Sequence, residues 1–117
     1  MVDRRAIGAL GEDAAAAWYS AAGYEIVARN WRVRAGEIDI VARRGRVLVV
    51  CEVKTRTSTA FGLPVEAITR TKQMRLRKLA GLFLAAEPQP GCGVRFDVAS
   101  VMPSGSGPKV EILEGAF

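Results

Sequence analysis

The chain has 117 residues, 50% hydrophobic and 25% charged, enough for a single domain (residues 1–117) with one core. Its net charge of +5 suits a polyanionic partner. The absence of histidine excludes histidine-based nucleases, Ser-His-Asp triads and His-ligated metal sites, so any hydrolytic chemistry must run on carboxylates, lysine and a hard metal.

Residues 4 to 22 place Ile7, Leu10, Ala14, Ala17, Trp18 and Ala21 at intervals of three and four, which predicts an amphipathic helix ended by Gly23. On the helical wheel Glu12 lies opposite the Ile7/Leu10/Ala14/Ala17 stripe, and solvent is its default surrounding. Its neighbours on that side are Gly8, Ala15, Ala16 and Tyr19, a set that also suits close packing or a nucleic-acid backbone. "YEIVARNW" (24–31) reads as a strand, "GEIDIVARR" (36–44) alternates with period two, and "VLVVCEVKTR" (47–56) opens as an apolar run that meets Glu52 and Lys54, so that residues 24 to 54 make a three-stranded meander. Gly45 marks the hairpin between the last two. "FGLPVEAI" (61–68) is a loop or a short helical turn. A second helix is expected from Thr71 to Ala86, with Leu76, Leu79, Ala80 and Phe83 on one face and basic residues on the other. Prolines and glycines in "EPQPGCG" end it. "VRFDVASVM" (94–102) and "KVEIL" (109–113) are strands, the second short.

Cys51 and Cys92 have no C-x-x-C spacing, which points away from zinc and disulfides and towards a reduced, cytoplasmic protein. No apolar run approaches the ~18 residues that span a bilayer, so no membrane partner is expected.

The hairpin carries the chemistry. A type II′ turn over Gly45-Arg46 pairs Arg44 with Val47 and, further along the ladder, sets Asp39 across from Glu52. An Arg44-Gly45 turn would make them diagonal neighbours on the same face. Either way Asp39, Glu52 and Lys54 cluster, with Glu37 close by. Two carboxylates ~5 Å apart at an effective dielectric of ~20 repel by roughly 3 kcal/mol, so a cation must offset them. An ordinary Glu–Lys ion pair at a strand end is one reading. A site for Mg²⁺, which takes one or two carboxylates plus water and substrate phosphate, is the other. Asp97 reads as structural, bonded to a nearby arginine.

The motifs "GALGE" (8–12), "NWRVRAGEIDIV" (30–41), "VCEVKTR" (50–56), "FG" (61–62), Lys72 and "RFDV" (95–98) together resemble the YraN family of small bacterial proteins over nearly the whole chain. That family is similar to the restriction-endonuclease superfamily of D…E-x-K nucleases and, within it, to archaeal Holliday-junction resolvases. The resemblance implies an α/β fold with an α-β-β-β-α-β core, a mixed central sheet flanked by helices, and a short C-terminal strand. It assigns Asp39 and Glu52 to Mg²⁺ or Mn²⁺, Lys54 to the attacking water or the transition state, and raises Glu12 to an active-site carboxylate. The activity implied is metal-dependent hydrolysis of DNA, with branched or Holliday-junction-like structures as substrates and a homodimer for paired cuts. Arg32, Arg34, Arg56, Lys72 and Arg75 are the cations expected to hold phosphates. The alternative is a catalytically silent nucleic-acid-binding module of the same fold.

Overall fold

The computed structural model of the chain describes residues 4–56 and 68–117. The expected loop at 61–67, with the Phe61-Gly62 motif, lies outside the described residues. In chain order the elements are α1 (Arg4–Ala21), β1 (Glu25–Val33), β2 (Gly36–Arg44), β3 (Val47–Thr55), α2 (Arg70–Ala86), β4 (Gly93–Met102) and β5 (Lys109–Leu113). This is the α-β-β-β-α-β order with a short terminal strand that the sequence predicts.

The five strands form one sheet in the order β1-β2-β3-β4-β5. Neighbours are antiparallel except β3 and β4, which run parallel with α2 as the crossover. Strand β3 is therefore central, and its continuous apolar run is explained by burial on both faces. The β2–β3 hairpin pairs Arg44 with Val47 and Ile40 with Cys51, the register of a Gly45-Arg46 turn. Gly45 takes a φ of 60° while Arg46 is not left-handed, as a type II′ turn requires.

Alternate residues of the central strands feed two cores. On one face Ile40, Ala42, Val49, Cys51, Ala99 and Val101 pack against Ala15, Ala16 and Tyr19 of α1. On the other, Val41, Leu48, Val50 and Phe96 pack against Leu76, Leu79, Ala80 and Phe83 of α2, the apolar face predicted for that helix. Trp31 meets Phe83 edge-to-face with ring centroids 5.3 Å apart, closing the β1 side of this core.

Helix α1 corrects the helical-wheel reading. Leu10 is 55% exposed and Ala17 is exposed, whereas Gly11, Ala15, Ala16 and Tyr19 are buried. The small residues, not the bulkier apolar ones, face the sheet because they let the helix backbone approach it. A Cβ on Gly11 would collide with the Thr55 hydroxyl at the end of β3. Glu12 follows Gly11 and so belongs to the inward side.

Beneath α1 lies one fully buried carboxylate, Asp97. Tyr19 donates its hydroxyl to Asp97 Oδ2 at 2.7 Å, Arg95 donates to both carboxylate oxygens at 2.9 Å, and the Gly115 N–H donates to Oδ1 at 3.0 Å. Arg95 also donates to the Tyr24 hydroxyl at 3.0 Å. The structural role expected of Asp97 is borne out: a buried charge held by an arginine and two further donors ties α1, β4 and the C-terminal segment together.

Candidate active site

The site forms where β2 and β3 part. Their paired residues run from Arg44↔Val47 to Ile40↔Cys51, and at the next step Asp39 turns its carboxylate to the strand: Oδ2 accepts the Val53 N–H at 2.8 Å. That bond fixes the Asp39 side chain at the rim of the sheet beside Glu52. The strict alternation predicted for β2 is interrupted at the same place. Ile38 packs with the α2-side core, as does Val41 three residues on, while Ile40 packs on the α1 side. In β1, Asn30 stands between the Arg29↔Ile40 and Trp31↔Ile38 pairs and has a φ of 51°, the sole left-handed non-glycine among the described residues. Asparagine tolerates this conformation better than most side chains. A local departure from regular strand geometry thus lies opposite Asp39, beside the place where Glu37, Asp39 and Glu52 line one pocket.

Helix α2 supplies the opposite wall. Thr69 caps it, its Oγ1 accepting the Lys72 N–H at 3.2 Å, and the first two turns carry Lys72 and Arg75 towards the carboxylates. Gly36, at the start of β2, lets the helix come close: a Cβ there would stand 3.2 Å from Leu79. The result is a pocket of about 240 Å³ lined by Glu37, Asp39 and Glu52 on one side and Lys72 and Arg75 on the other, with Leu76 and Leu79 as its floor.

The electrostatics reflect crowding of acids. Burial, then the neighbouring Glu52 charge, push the Asp39 carboxyl up to about 7, against the opposing pull of the Val53 N–H; Glu12 and Glu37 add to the rise. Burial also raises Glu12, with the Arg29 charge and the Asn30 amide opposing it. Glu12 Oε1 is buried and has no hydrogen-bond partner among the described residues. Lys54 Nζ lies 3.4 Å from Glu52 Oε1, with both side chains about a quarter exposed. Cys51, immediately behind Glu52, is pushed up to about 12 by burial and stays a thiol.

The predicted residues therefore separate by position. Asp39, Glu52, Lys72 and Arg75 share the pocket wall. Lys54 flanks it through Glu52, and Glu12 adjoins it as a charge that Asp39 feels, although neither lines it. Arg32 lies beside Glu37, at 3.4 Å. Arg34 lines a separate groove. Arg56 follows the end of β3, where its N–H donates to the Val101 carbonyl at 2.8 Å. Asn30, Gly36 and Thr69 also shape the site without being among the site residues that the sequence nominates. Of these only Thr69, a threonine just ahead of a helical pattern, carries a local signal.

A hard divalent cation fits this donor set. Among the described residues no three Asp, Glu or Cys side chains gather into a ready-made cage. Asp39 and Glu52 remain as a carboxylate pair, the number Mg²⁺ commonly takes while keeping water and phosphate in its other positions. Asp39 is raised first by burial and then by the Glu52 charge, and one buried Glu12 oxygen has no hydrogen-bond partner among the described residues.

The model of a protein family described as "Uncharacterised protein family UPF0102" matches residues 11–101. The chain belongs to this family. That match spans α1 from Gly11, all of β1 to β3, α2 and nearly all of β4, and so includes every pocket residue. A UPF0102 protein of Nocardia farcinica is 48% identical over 116 residues, covering 98% of this chain and 91% of its own. Another, from Parafrankia, is 51% identical over 112 residues and covers 95% of both chains. A third, from Symbiobacterium thermophilum, is 48% identical with 97% of both covered. Membership of UPF0102 bears out the family resemblance read from the motifs. No helix among the described residues is long and apolar enough to cross a membrane.

Proposed function

We propose that this UPF0102 protein is a divalent-metal-dependent nuclease of the restriction-endonuclease type that hydrolyses phosphodiester bonds in DNA. One observation carries the reading: a single pocket is lined by Asp39 and Glu52 together with Lys72 and Arg75, a set that would let a metal and a phosphate meet at one phosphodiester. A binding module gains nothing from crowded carboxylates beside phosphates, since they repel the ligand it must hold.

Asp39 and Glu52 would hold Mg²⁺ or Mn²⁺, which when bound polarises a phosphoryl oxygen and lowers the pKa of a water. Lys72 and Arg75 neutralise the phosphate entering from the α2 side. Lys54, kept near Glu52, orients the attacking water or offsets charge in the transition state. Glu12, with an oxygen left over, accepts a hydrogen bond or proton from the water shell of the site. Arg32, Arg34 and Arg56 extend the phosphate track beyond the pocket. The substrate fits a branched or otherwise structured DNA, cut by a two-fold dimer in the cytoplasm.

The test is incubation of the purified protein with linear, nicked, flapped and four-way DNA, with Mn²⁺ or EDTA. Cleavage in Mn²⁺ that disappears in Glu52→Gln and Asp39→Asn supports the reading. Metal-independent binding with no cleavage of any substrate favours the silent module instead.

A further inference from the structure

Beside the acidic pocket, and one helical turn further along α2, lies a second, larger groove of about 500 Å³ lined by Trp31, Val33, Arg34, Lys78, Leu82 and Ala86 among others. It is open and apolar at its base, yet cationic at its rim. Val33 and Leu82 are 37% and 40% exposed and share this one groove with an indole, so that their apolar surface is grouped and not scattered. The two cavities share the β1–β2 turn, with Ala35 lining one and Gly36 the other. Along α2, Arg75 and Leu79 line the first, Lys78 and Leu82 the second. Residues 75 and 82 are separated by a helix rise of about 10 Å, so the two cavities are neighbours along one face of α2.

An aromatic plane with aliphatic neighbours and a basic rim matches what an unpaired nucleotide needs: a surface for the base face and cations for its phosphate. A duplex keeps its base faces stacked inside and offers such a groove nothing. A second protein copy would have to bring acidic groups to Arg34 and Lys78, whereas a phosphate-bearing strand brings them with every residue. We infer that this groove is a subsite for an unpaired base, adjacent to the phosphodiester held in the acidic pocket, so that the preferred substrate has a single-stranded segment next to the cleaved bond. This rests on the reading of the first pocket as a phosphodiester site.

The test works without metal, and so is independent of cleavage. In EDTA, at a fixed salt concentration of about 0.1 M, fluorescein-labelled oligo-dT and a duplex of equal length are titrated with wild type and Leu82→Gln and followed by anisotropy. Leu82 is 40% exposed, and the apolar surface that a base would cover there is what glutamine forfeits. Leu82→Gln therefore weakens oligo-dT binding by at least about fivefold and leaves duplex binding within about twofold. In a Trp18→Phe background, which leaves Trp31 as the single tryptophan, emission is quenched by oligo-dT in step with anisotropy and unchanged by duplex. Equal losses for both ligands, no loss for either, or an unquenched Trp31 in a folded protein overturns the inference. So does a concentration-dependent mass increase that Leu82→Gln abolishes while oligo-dT affinity stays constant. Quenching without Mn²⁺-dependent cleavage would instead retain the subsite and remove the nuclease.

Discussion

In the metal-free protein Asp39 makes stability depend on pH with an unusual sign. Its carboxyl rises from 3.8 to about 7 on folding, chiefly through burial and then through Glu52. A raised acid favours the folded state fully when pH is below the unfolded value. That contribution is lost as pH climbs from about 4 through about 7, because charging the group costs more in the fold than in the open chain. At ~1.4 kcal/mol per pH unit the full change has an upper bound of ~4 kcal/mol. Asp39 is incompletely buried, and discounting for solvent leaves about 2 kcal/mol. Urea unfolding in EDTA should therefore show wild type losing about 1 kcal/mol more than Asp39→Asn between pH 5 and 8.5, the part of the window that lies above pH 5. At the higher pH Asp39→Asn is the more stable protein, since its amide keeps an oxygen for the Val53 N–H. Adding Mn²⁺ at pH 8.5 should restore wild type and leave the variant unchanged. Parallel pH profiles for the two proteins would refute this account, because they would mean that Asp39 is neither desolvated nor opposed by Glu52.

Other expectations concern the same framework. Replacing Lys72 or Arg75 by Ala should weaken binding of every DNA sequence alike and reduce the slope of log affinity against log salt by about 1 for each phosphate no longer neutralised. Gly11→Ala should lower stability by about 1–3 kcal/mol through overpacking against Thr55, and the double variant with Thr55→Ala should recover most of it, as a thermal-melt cycle would reveal. Asp97→Asn strands the Arg95 guanidinium, which is about a quarter exposed, and should cost about 2–3 kcal/mol by urea titration without changing Mn²⁺ affinity.

Most of the architecture is legible in local patterns. The glycine at 45 announces the turn, the turn sets the register as far as Ile40↔Cys51, and Asp39 and Glu52 follow at the point where the strands part, lining one pocket. Helix α2 is legible because Leu76, Leu79, Ala80 and Phe83 recur at helical spacing and are all buried. The orientation of helix α1 defies its apolar stripe because the inward face consists of glycine, alanines and a tyrosine whose hydroxyl reaches Asp97. Their value comes from the approach they permit, which no hydropathy scale records. The role of Asn30 is equally hidden: a positive φ inside a strand depends on what lies across the sheet, not on its neighbours in sequence. Lys72 and Arg75 are visible as charges, but that they face Asp39 and Glu52 follows only from the crossover that lays α2 over the β2–β3 hairpin.

The two walls of the pocket have different sequence ranges. Glu37, Asp39 and Glu52 belong to one hairpin closed by a tight turn, a unit that forms early and locally, whereas Lys72 and Arg75 arrive only when the parallel β3–β4 pairing is made. The refolding chain thus brings like charges together before their counter-charges are in place. Its refolding should quicken on mild acidification or in millimolar divalent cation, either of which removes the repulsion from the early hairpin.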